Sequence, residues 1–488
     1  MLLAIDQGTT GSTALLIDKN LKIVGEAGVD FRQIFPKSGW VEHDLNDIWK
    51  SVRDSIKILL RKTKTNPKKI DAIGITNQRE TTCAWNFKTG KPLYHAIVWQ
   101  CRRTAPMCDE LKTQGLNPLF QQKTGLLLDA YFSGTKMKWL LDNVPAVKEK
   151  DTAFGTIDSF LISKLSGNKT HVTDVSNASR TLLMNLHSLS WDDELLKIMG
   201  INKNYLPKIR SNSEVYAKTS GLDFLPDDIP IAGAIGDQQA ALFGQACFEE
   251  SSAKCTYGTG SFLLMNTGEK AVPSKNNLLT TVAWKLGNQT TYALEGSVFI
   301  AGAAVQWLRD GLKIISSSSE IEKLAKQVKS SEEVVFVPAL TGLGAPYWRP
   351  NARGTLTGLT RGTTSSHIAR ATLEAIAFQN YDLVNTMEKD TGQKIKILKV
   401  DGGASANSLL MQFQADLLQT KLVRPHTLET TALGAGLMAG LAIGYWKDLS
   451  EIKKKWKADK TFSPKMDETT RQAHLQKWQQ AIHKTLVA

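Results

Sequence analysis

Apolar residues set the first rhythm of the chain. Leu2 to Ile5 and Ala14 to Ile17 are apolar runs joined by the small polar turn Asp6-Gln7-Gly8-Thr9-Thr10, a pattern that predicts a β-hairpin. After Asp18-Lys19-Asn20, the run Leu21 to Val29 supplies a third strand. The period then changes from two to 3.6: Leu45, Ile48, Trp49, Val52, Ile56, Leu59 and Leu60 form one apolar face, with Asp44 placed to cap a helix. The strand Ile70 to Thr76 follows. Three antiparallel strands, a helix and a further strand make an α/β core with a mixed sheet.

The plan returns after mid-chain. Cys255 to Tyr257 and Phe262 to Met265 flank a second small turn, Gly258-Thr259-Gly260-Ser261, and strands follow at Val282 to Leu286 and Thr291 to Leu294. Helical patterning appears near Ile300 to Arg309 and again at His367 to Met387. Strand, glycine turn and helix recur at Ile395 to Gln419. The uncharged stretch Thr430 to Trp446 is shorter than the ~20 residues a membrane span requires and reads as a buried helix. Ser316 to Ser319 reads as a loop.

With 488 residues, 42% of them hydrophobic, the chain is long enough for two large domains with separate cores. The boundary is placed near Ala246 to Ser252, giving an N-terminal half of residues 1–246 and a C-terminal half of 247–488. The net charge of +13 raises nucleic acid or an anionic membrane as partners. The lysines lie instead in scattered amphipathic or loop stretches such as Arg61 to Lys69 and Lys453 to Lys460, without the aromatic or Arg-rich interleaving of a nucleic-acid groove, so neither partner is expected. Five cysteines, Cys83, Cys101, Cys108, Cys247 and Cys255, show no C-x-x-C and no histidine at ligand spacing, so neither a disulfide framework nor zinc is favoured. Met1 runs directly into the first strand without an export signal, and the expected location is the cytoplasm.

The two turns carry the chemistry. Glycine lets backbone N–H groups approach an anion, and threonine or serine hydroxyls add donors, so each turn suits a phosphate. Asp6 stands at the first strand end, and a third glycine turn, Asp401-Gly402-Gly403-Ala404, follows the strand Ile395 to Val400. A carboxylate beside a phosphate loop is expected where Mg²⁺ is held, because Mg²⁺ takes oxygen ligands and keeps much of its water. The combination points to ATP with Mg²⁺, held between two lobes.

Longer stretches then become specific. Gly74 to Thr82 (GITNQRETT), Val98 to Arg103 (VWQCRR), Tyr131 to Lys136 (YFSGTK), Gly236 to Gly244 (GDQQAALFG), Thr341 to Trp348 (TGLGAPYW) and Val400 to Ala404 (VDGGA) resemble the glycerol kinases. Gly354 to Glu374 resembles the signature of the wider FGGY carbohydrate-kinase family, and the likeness runs from the first strand to about Trp446. The resemblance implies an α/β fold of two ribonuclease H-like domains of the actin and hexokinase type, with mixed sheets flanked by helices and an interdomain cleft. It also implies transfer of the ATP γ-phosphate to glycerol in glycerol uptake and catabolism, and a homodimer or homotetramer. Carried onto this chain, it assigns Arg79, Glu80, Tyr131, Asp237 and Gln238 to glycerol, and Trp99 and Phe262 are our candidates for the apolar wall. Asp237 is the candidate for proton transfer, as the catalytic-loop aspartate is in protein kinases. Thr9, Thr10, Gly11 and Thr259 are assigned to the phosphates, Gly302, Gln306, Gly403 and Asn407 to the rest of the nucleotide, and Asp6 to Mg²⁺ through water.

The match has departures. Gly11, Ser12 and Thr13 stand where glycerol kinases commonly carry Ser-Ser-Arg, so a cation on the nucleotide side is missing at Thr13. Ala130 replaces a frequent proline before the tyrosine. Thr219 to Pro230 lacks the glycine-rich, arginine-containing loop tied to fructose 1,6-bisphosphate inhibition in some bacterial members. Two alternatives stay open at this level: a kinase for another polyol or ketose such as xylulose, and an actin-like or chaperone-like switch ATPase. The segment after Lys447, through Trp456 and Trp478, reads as a packing tail.

Overall fold

A computed structural model describes residues 1–349 and 351–487. The expected hairpin forms with Leu2–Gln7 antiparallel to Gly11–Ile17, and Ile23–Asp30 extends it. That third strand starts later than the apolar run suggests, because Leu21 adopts a left-handed φ of 62° and its N–H closes a turn onto the Asp18 carbonyl at 3.2 Å. The helix Leu45–Thr63 begins where Asp44 accepts a hydrogen bond from the Asn46 N–H, and its buried face carries Leu45, Ile48, Val52, Ile56, Leu59 and Leu60. Ala72–Asn77 and then Pro230–Gly236 add in parallel on the other side of Leu2–Gln7, and Ser213–Lys218 closes the edge antiparallel.

The second half repeats this order strand for strand. Ser252–Tyr257 occupies the place of Leu2–Gln7, antiparallel to Ser261–Gly268 and parallel to Ile397–Asp401. Lys421–Pro425 pairs in parallel next, and Ala458–Phe462 closes the edge antiparallel. On the other side Gln289–Val298 follows Ser261–Gly268, and Leu279–Leu286 is an additional edge strand without a counterpart in the first half. The later helices, at Gly302–Asp310, Ser365–Thr391 and Ser408–Leu418, lie where the apolar pattern places them.

Between the halves of the N-terminal sheet's connectivity, a separate four-stranded sheet is built from Glu42–His43, Ala96–Ile97, Thr82–Asn86 and Thr152–Thr156. It packs with Ser133–Asn143 and its neighbours into a core of its own.

The helix Thr430–Ala442 is buried as expected, but it crosses back to the N-terminal sheet. With Asp237–Gly244 it forms a central core containing Leu2, Ala4, Ala232, Leu242, Leu264, Trp284, Leu433 and Leu437, drawn from both halves. The last helix, Glu468–Val487, packs as a tail: Trp478 is fully buried, stacks on Phe378 with centroids 5.1 Å apart, and donates to Asp382 Oδ2 at 2.8 Å. Among the described residues no helix is long and apolar enough to cross a membrane. All five cysteines are buried and free.

Candidate active site

Register decides where the site lies. The parallel strands Leu2–Gln7, Ala72–Asn77 and Pro230–Gly236 run in step, with Gln7 beside Asn77 and Asn77 beside Gly236. The residues that leave them, the first turn, Gln78-Arg79-Glu80 and Asp237-Gln238, therefore emerge together at the carboxyl ends, where open α/β sheets gather their ligands. The C-terminal sheet does the same, because Thr256 lies opposite Asp401 and the turns after them leave side by side.

Arg79 and Glu80 follow the end of Ala72–Asn77 in a turn. Both are buried, and Glu80 holds a left-handed φ of 61°, a conformation costing a residue with a Cβ about 1 kcal/mol or more. Arg79 is gripped at both terminal nitrogens by Glu295, with Nη1 2.5 Å from Oε2 and Nη2 3.1 Å from Oε1. Its Nη1 also donates to Gln239 Oε1 at 3.1 Å, and its Nη2 reaches the Tyr131 hydroxyl at 3.5 Å. Nε faces Asp237 Oδ1 at 3.1 Å in a close ion pair whose N–H is not aligned for a hydrogen bond. A second buried arginine, Arg180, joins Glu80 Oε1 at 2.7 Å to Glu295 Oε1 at 2.9 Å.

Within this cluster Asp237 alone keeps an open edge, with 30% of its side chain exposed against 2% or less for Arg79, Glu80, Arg180 and Glu295. Burial raises the Asp237 carboxyl above the usual range, against the lowering pull of Arg79 and of the Gln238 N–H at 2.7 Å. Burial raises Glu80 as well. Glu295 ends in the opposite state, since Arg180 and Arg79 override its burial and hold it down at about 2. Asp6 is pushed up to about 8 by burial and then by the neighbouring charges of Asp237 and Glu429.

The aromatic candidates tie this cluster to the first turn. Trp99 meets Tyr131 edge-on with centroids 5.6 Å apart, and its indole N–H donates to Thr9 Oγ1 at 3.0 Å. Phe262 is half-buried on Ser261–Gly268, opposite Ser297 and two residues from Leu264, which itself pairs with Glu295. Phe262 thus shares the strand face that turns toward the central core.

The nucleotide candidates split between the halves. Thr10 is exposed and its carbonyl accepts from the Phe31 N–H at 3.1 Å, while the Gly11 carbonyl closes the first turn onto the Gly8 N–H at 2.9 Å. The second turn docks on the start of Gly302–Asp310: the Thr259 carbonyl accepts from the Ala301 and Ala303 N–H groups at 2.9 and 3.0 Å. Gly302 is required there, because a Cβ would stand 2.6 Å from the Gly258 carbonyl oxygen. Gln306 is exposed one turn further along, and Gly403 is exposed at the third turn. The Asn407 side-chain oxygen caps Ser408–Leu418 by accepting from the Leu410 N–H at 3.0 Å, leaving its amide N–H₂ for other partners. Among the described residues no hydrogen bond joins the first turn to the second. Thr13 is the strand partner of Asp6, so the missing arginine leaves that carboxylate without a cation across the hairpin.

Arg180, Lys254, Glu295 and Glu429 lie outside the family motifs, and Gln239 lies inside one without an assigned role. Two of them left a signal: Glu295 is the one charged residue between Thr290 and Gly302, and Lys254 interrupts a strand otherwise free of charge. A lone charge in a buried strand marks a partner elsewhere. Lys254 finds it in Gln238 Oε1 at 2.5 Å and Thr256 Oγ1 at 2.9 Å.

Residues 1–244 match the N-terminal domain of the FGGY family of carbohydrate kinases, and residues 253–443 match its C-terminal domain. The chain belongs to the FGGY carbohydrate kinases. Among its relatives are a glycerol kinase of Bdellovibrio bacteriovorus, 58% identical over 488 residues and 99% of each chain, and one of a Geobacillus species, 56% identical over 99% of this chain and 98% of the other. The crystal structure of Plasmodium falciparum glycerol kinase with ADP superposes with a TM-score of 0.95 at 40% identity, covering 100% of this chain and 98% of that one. The fold of this FGGY kinase is the expected pair of α/β domains, each on a mixed sheet, and the strand-for-strand repeat is the physical form of that duplication.

Proposed function

We propose that this FGGY kinase transfers the γ-phosphoryl group of ATP to a terminal hydroxyl of glycerol, giving sn-glycerol 3-phosphate and ADP. The observation that carries the substrate is identity of 58% with a glycerol kinase across 99% of each chain. The site supports the chemistry. Glycerol is small and uncharged, so its recognition needs several fixed polar groups and an apolar wall, and Arg79, Glu80, Tyr131, Asp237 and Gln238 with Trp99 and Phe262 fill those roles.

Asp237 is the group that accepts the hydroxyl proton, because it is the carboxylate of the cluster that keeps exposed surface. Arg79 and Tyr131 orient the polyol, while Thr9, Thr10, Gly11 and Thr259 hold the phosphates. Gly302, Gln306, Gly403 and Asn407 surround the remainder of the nucleotide. Domain closure brings the two turns around the γ-phosphate and excludes water.

Mg²⁺ fits at Asp6, a half-buried carboxylate that feels the charges of Asp237 and Glu429 and has Thr13, not a cation, across the hairpin. No three His, Cys, Asp or Glu among the described residues form a cage for an ion, so Asp6 would hold Mg²⁺ through water with the phosphates as its other ligands. Bound there, the ion neutralises charge on the transferring phosphoryl group. We divide the chain functionally near Ala246 to Ser252, the first half carrying the polyol site and the second the adenosine site. We place the enzyme in the cytoplasm as a homodimer or homotetramer, a reading the free buried cysteines favour as to compartment.

The test is ADP release with MgATP against glycerol, dihydroxyacetone, xylulose and erythritol, with a control lacking polyol. Release that depends on glycerol is expected. Preference for another polyol overturns the substrate, and steady release that ignores every polyol overturns the kinase reaction in favour of a switch ATPase.

A further inference from the structure

Glu295 belongs to the C-terminal half, on Gln289–Val298, yet every charged group it holds lies in the N-terminal half. It takes both terminal nitrogens of Arg79 and one of Arg180, and it is buried with both of them. A bidentate arginine–carboxylate pair fixes the guanidinium plane as well as its position. With Nη1 and Nη2 so occupied, only the Nε edge of Arg79 faces Asp237, and only the far side of Nη2 faces Tyr131.

We propose that Glu295 is a positioning residue for the polyol site: it holds Arg79 away from a full bidentate pair with Asp237, leaving that carboxylate free for the substrate hydroxyl. Without Glu295 the guanidinium has a strong competing partner 3.1 Å away, and the natural relaxation is toward Asp237. The polyol site is then incomplete without the C-terminal sheet, although every residue assigned to touch glycerol except Phe262 lies in the first half. This inference rests on the assignment of Arg79 and Asp237 to the polyol.

The test is steady-state kinetics of Glu295→Gln and Glu295→Asp, with thermal melts of each. Glu295→Gln is expected to raise the KM for glycerol about 10- to 100-fold, the scale of a misplaced positioning group, with the KM for ATP within about twofold of wild type. Glu295→Asp keeps the charge on a side chain one methylene shorter, and its glycerol KM is expected to fall between the two. Because Glu295→Gln leaves Arg180 short of charge in a buried place, the double variant Glu295→Gln/Arg180→Met is measured too; it removes one charge of each sign and is expected to keep the raised glycerol KM. Lower melting temperatures with both KM values unchanged, or equal rises in the two, would mean that Glu295 is only structural and overturn the proposal. A wild type that phosphorylates a different polyol overturns the glycerol assignment alone, and the KM comparison is then read on that polyol.

Discussion

Asp237 and Asp158, one partly open and one fully buried, show how differently two carboxylates serve one chain. Asp237 keeps part of its side chain exposed beside Arg79, and in the proposed reaction it is the carboxylate that accepts the hydroxyl proton. Asp237→Asn is expected to fold and to keep its KM for ATP while losing ~10²–10⁴-fold in turnover; near-normal turnover would remove Asp237 from that role. Asp158 has no part in the proposed reaction; it accepts from the Thr156 and Thr173 hydroxyls and from the Ser159 N–H. Its neighbour Asp174 is raised by burial too but receives Ser176, Asn177 and Asn212, which favour its charged form, so the proton resides on Asp158, which burial and then the Asp174 charge push from 3.8 up to about 7. The folded state then holds a proton that the unfolded chain has already lost, and stability falls as pH rises through that window. In Asp158→Asn the loss is absent, so its melting temperature relative to wild type should improve from pH 4.5 to pH 7.5. Parallel curves for the two proteins would show that Asp158 carries no proton in the fold. Motifs made Arg79, Tyr131 and Asp237 legible, since each sits in a run of recognisable neighbours. Arg180 and Glu295 were not legible, because their partners lie about 100 residues or more away along the chain.

Regular elements were readable where their period ran long enough to count. The two hairpins announced themselves by alternation and glycine turns, and Leu45–Thr63 by its apolar face. The four-stranded sheet did not, because two of its strands, Glu42–His43 and Ala96–Ile97, are two residues long and have no period. Nor did Thr430–Ala442 reveal its destination: it is apolar all round, so its composition shows burial and not direction. Backbone contact supplies the missing information. A Cβ on Gly434 would stand 2.0 Å from the Ala240 carbonyl oxygen, and one on Gly244 would stand 2.0 Å from that of Thr430, so the paired helices touch through their main chains. In a helix with free space, glycine to alanine gains about 1 kcal/mol from propensity. Here the new methyl meets backbone that cannot swing aside, and overpacking of this kind costs about 1–3 kcal/mol. Gly434→Ala is therefore expected to lower the melting temperature despite the better helix former. A rise would mean that the two helices stand further apart than described.

At the scale of the whole molecule, duplication places one glycine-threonine turn, proposed to hold phosphate, on each sheet. The first and second halves were legible as repeats because the same succession of strands and turns recurs; the extra edge strand Leu279–Leu286 and the exchange of Thr430–Ala442 between halves have no signature in that repeat. Charge acts over the same dimension. The chain carries 60 lysines and arginines against 47 aspartates and glutamates, and the proposed reaction requires it to admit a polyanion and a neutral polyol. A net positive field raises the encounter rate of ATP and leaves glycerol indifferent. Raising ionic strength from 0.01 to 0.15 M shortens the Debye length from about 30 to about 8 Å, which removes most of that field beyond the site itself. The KM for ATP is accordingly expected to rise several-fold over this range, while the KM for glycerol and the limiting rate stay level. Glycerol serves as the internal control, because salt that perturbed lobe closure or stability would move both constants together. A KM for ATP that ignores salt would confine nucleotide recognition to the turns and their immediate neighbours, and would leave the surface lysines to solvation alone.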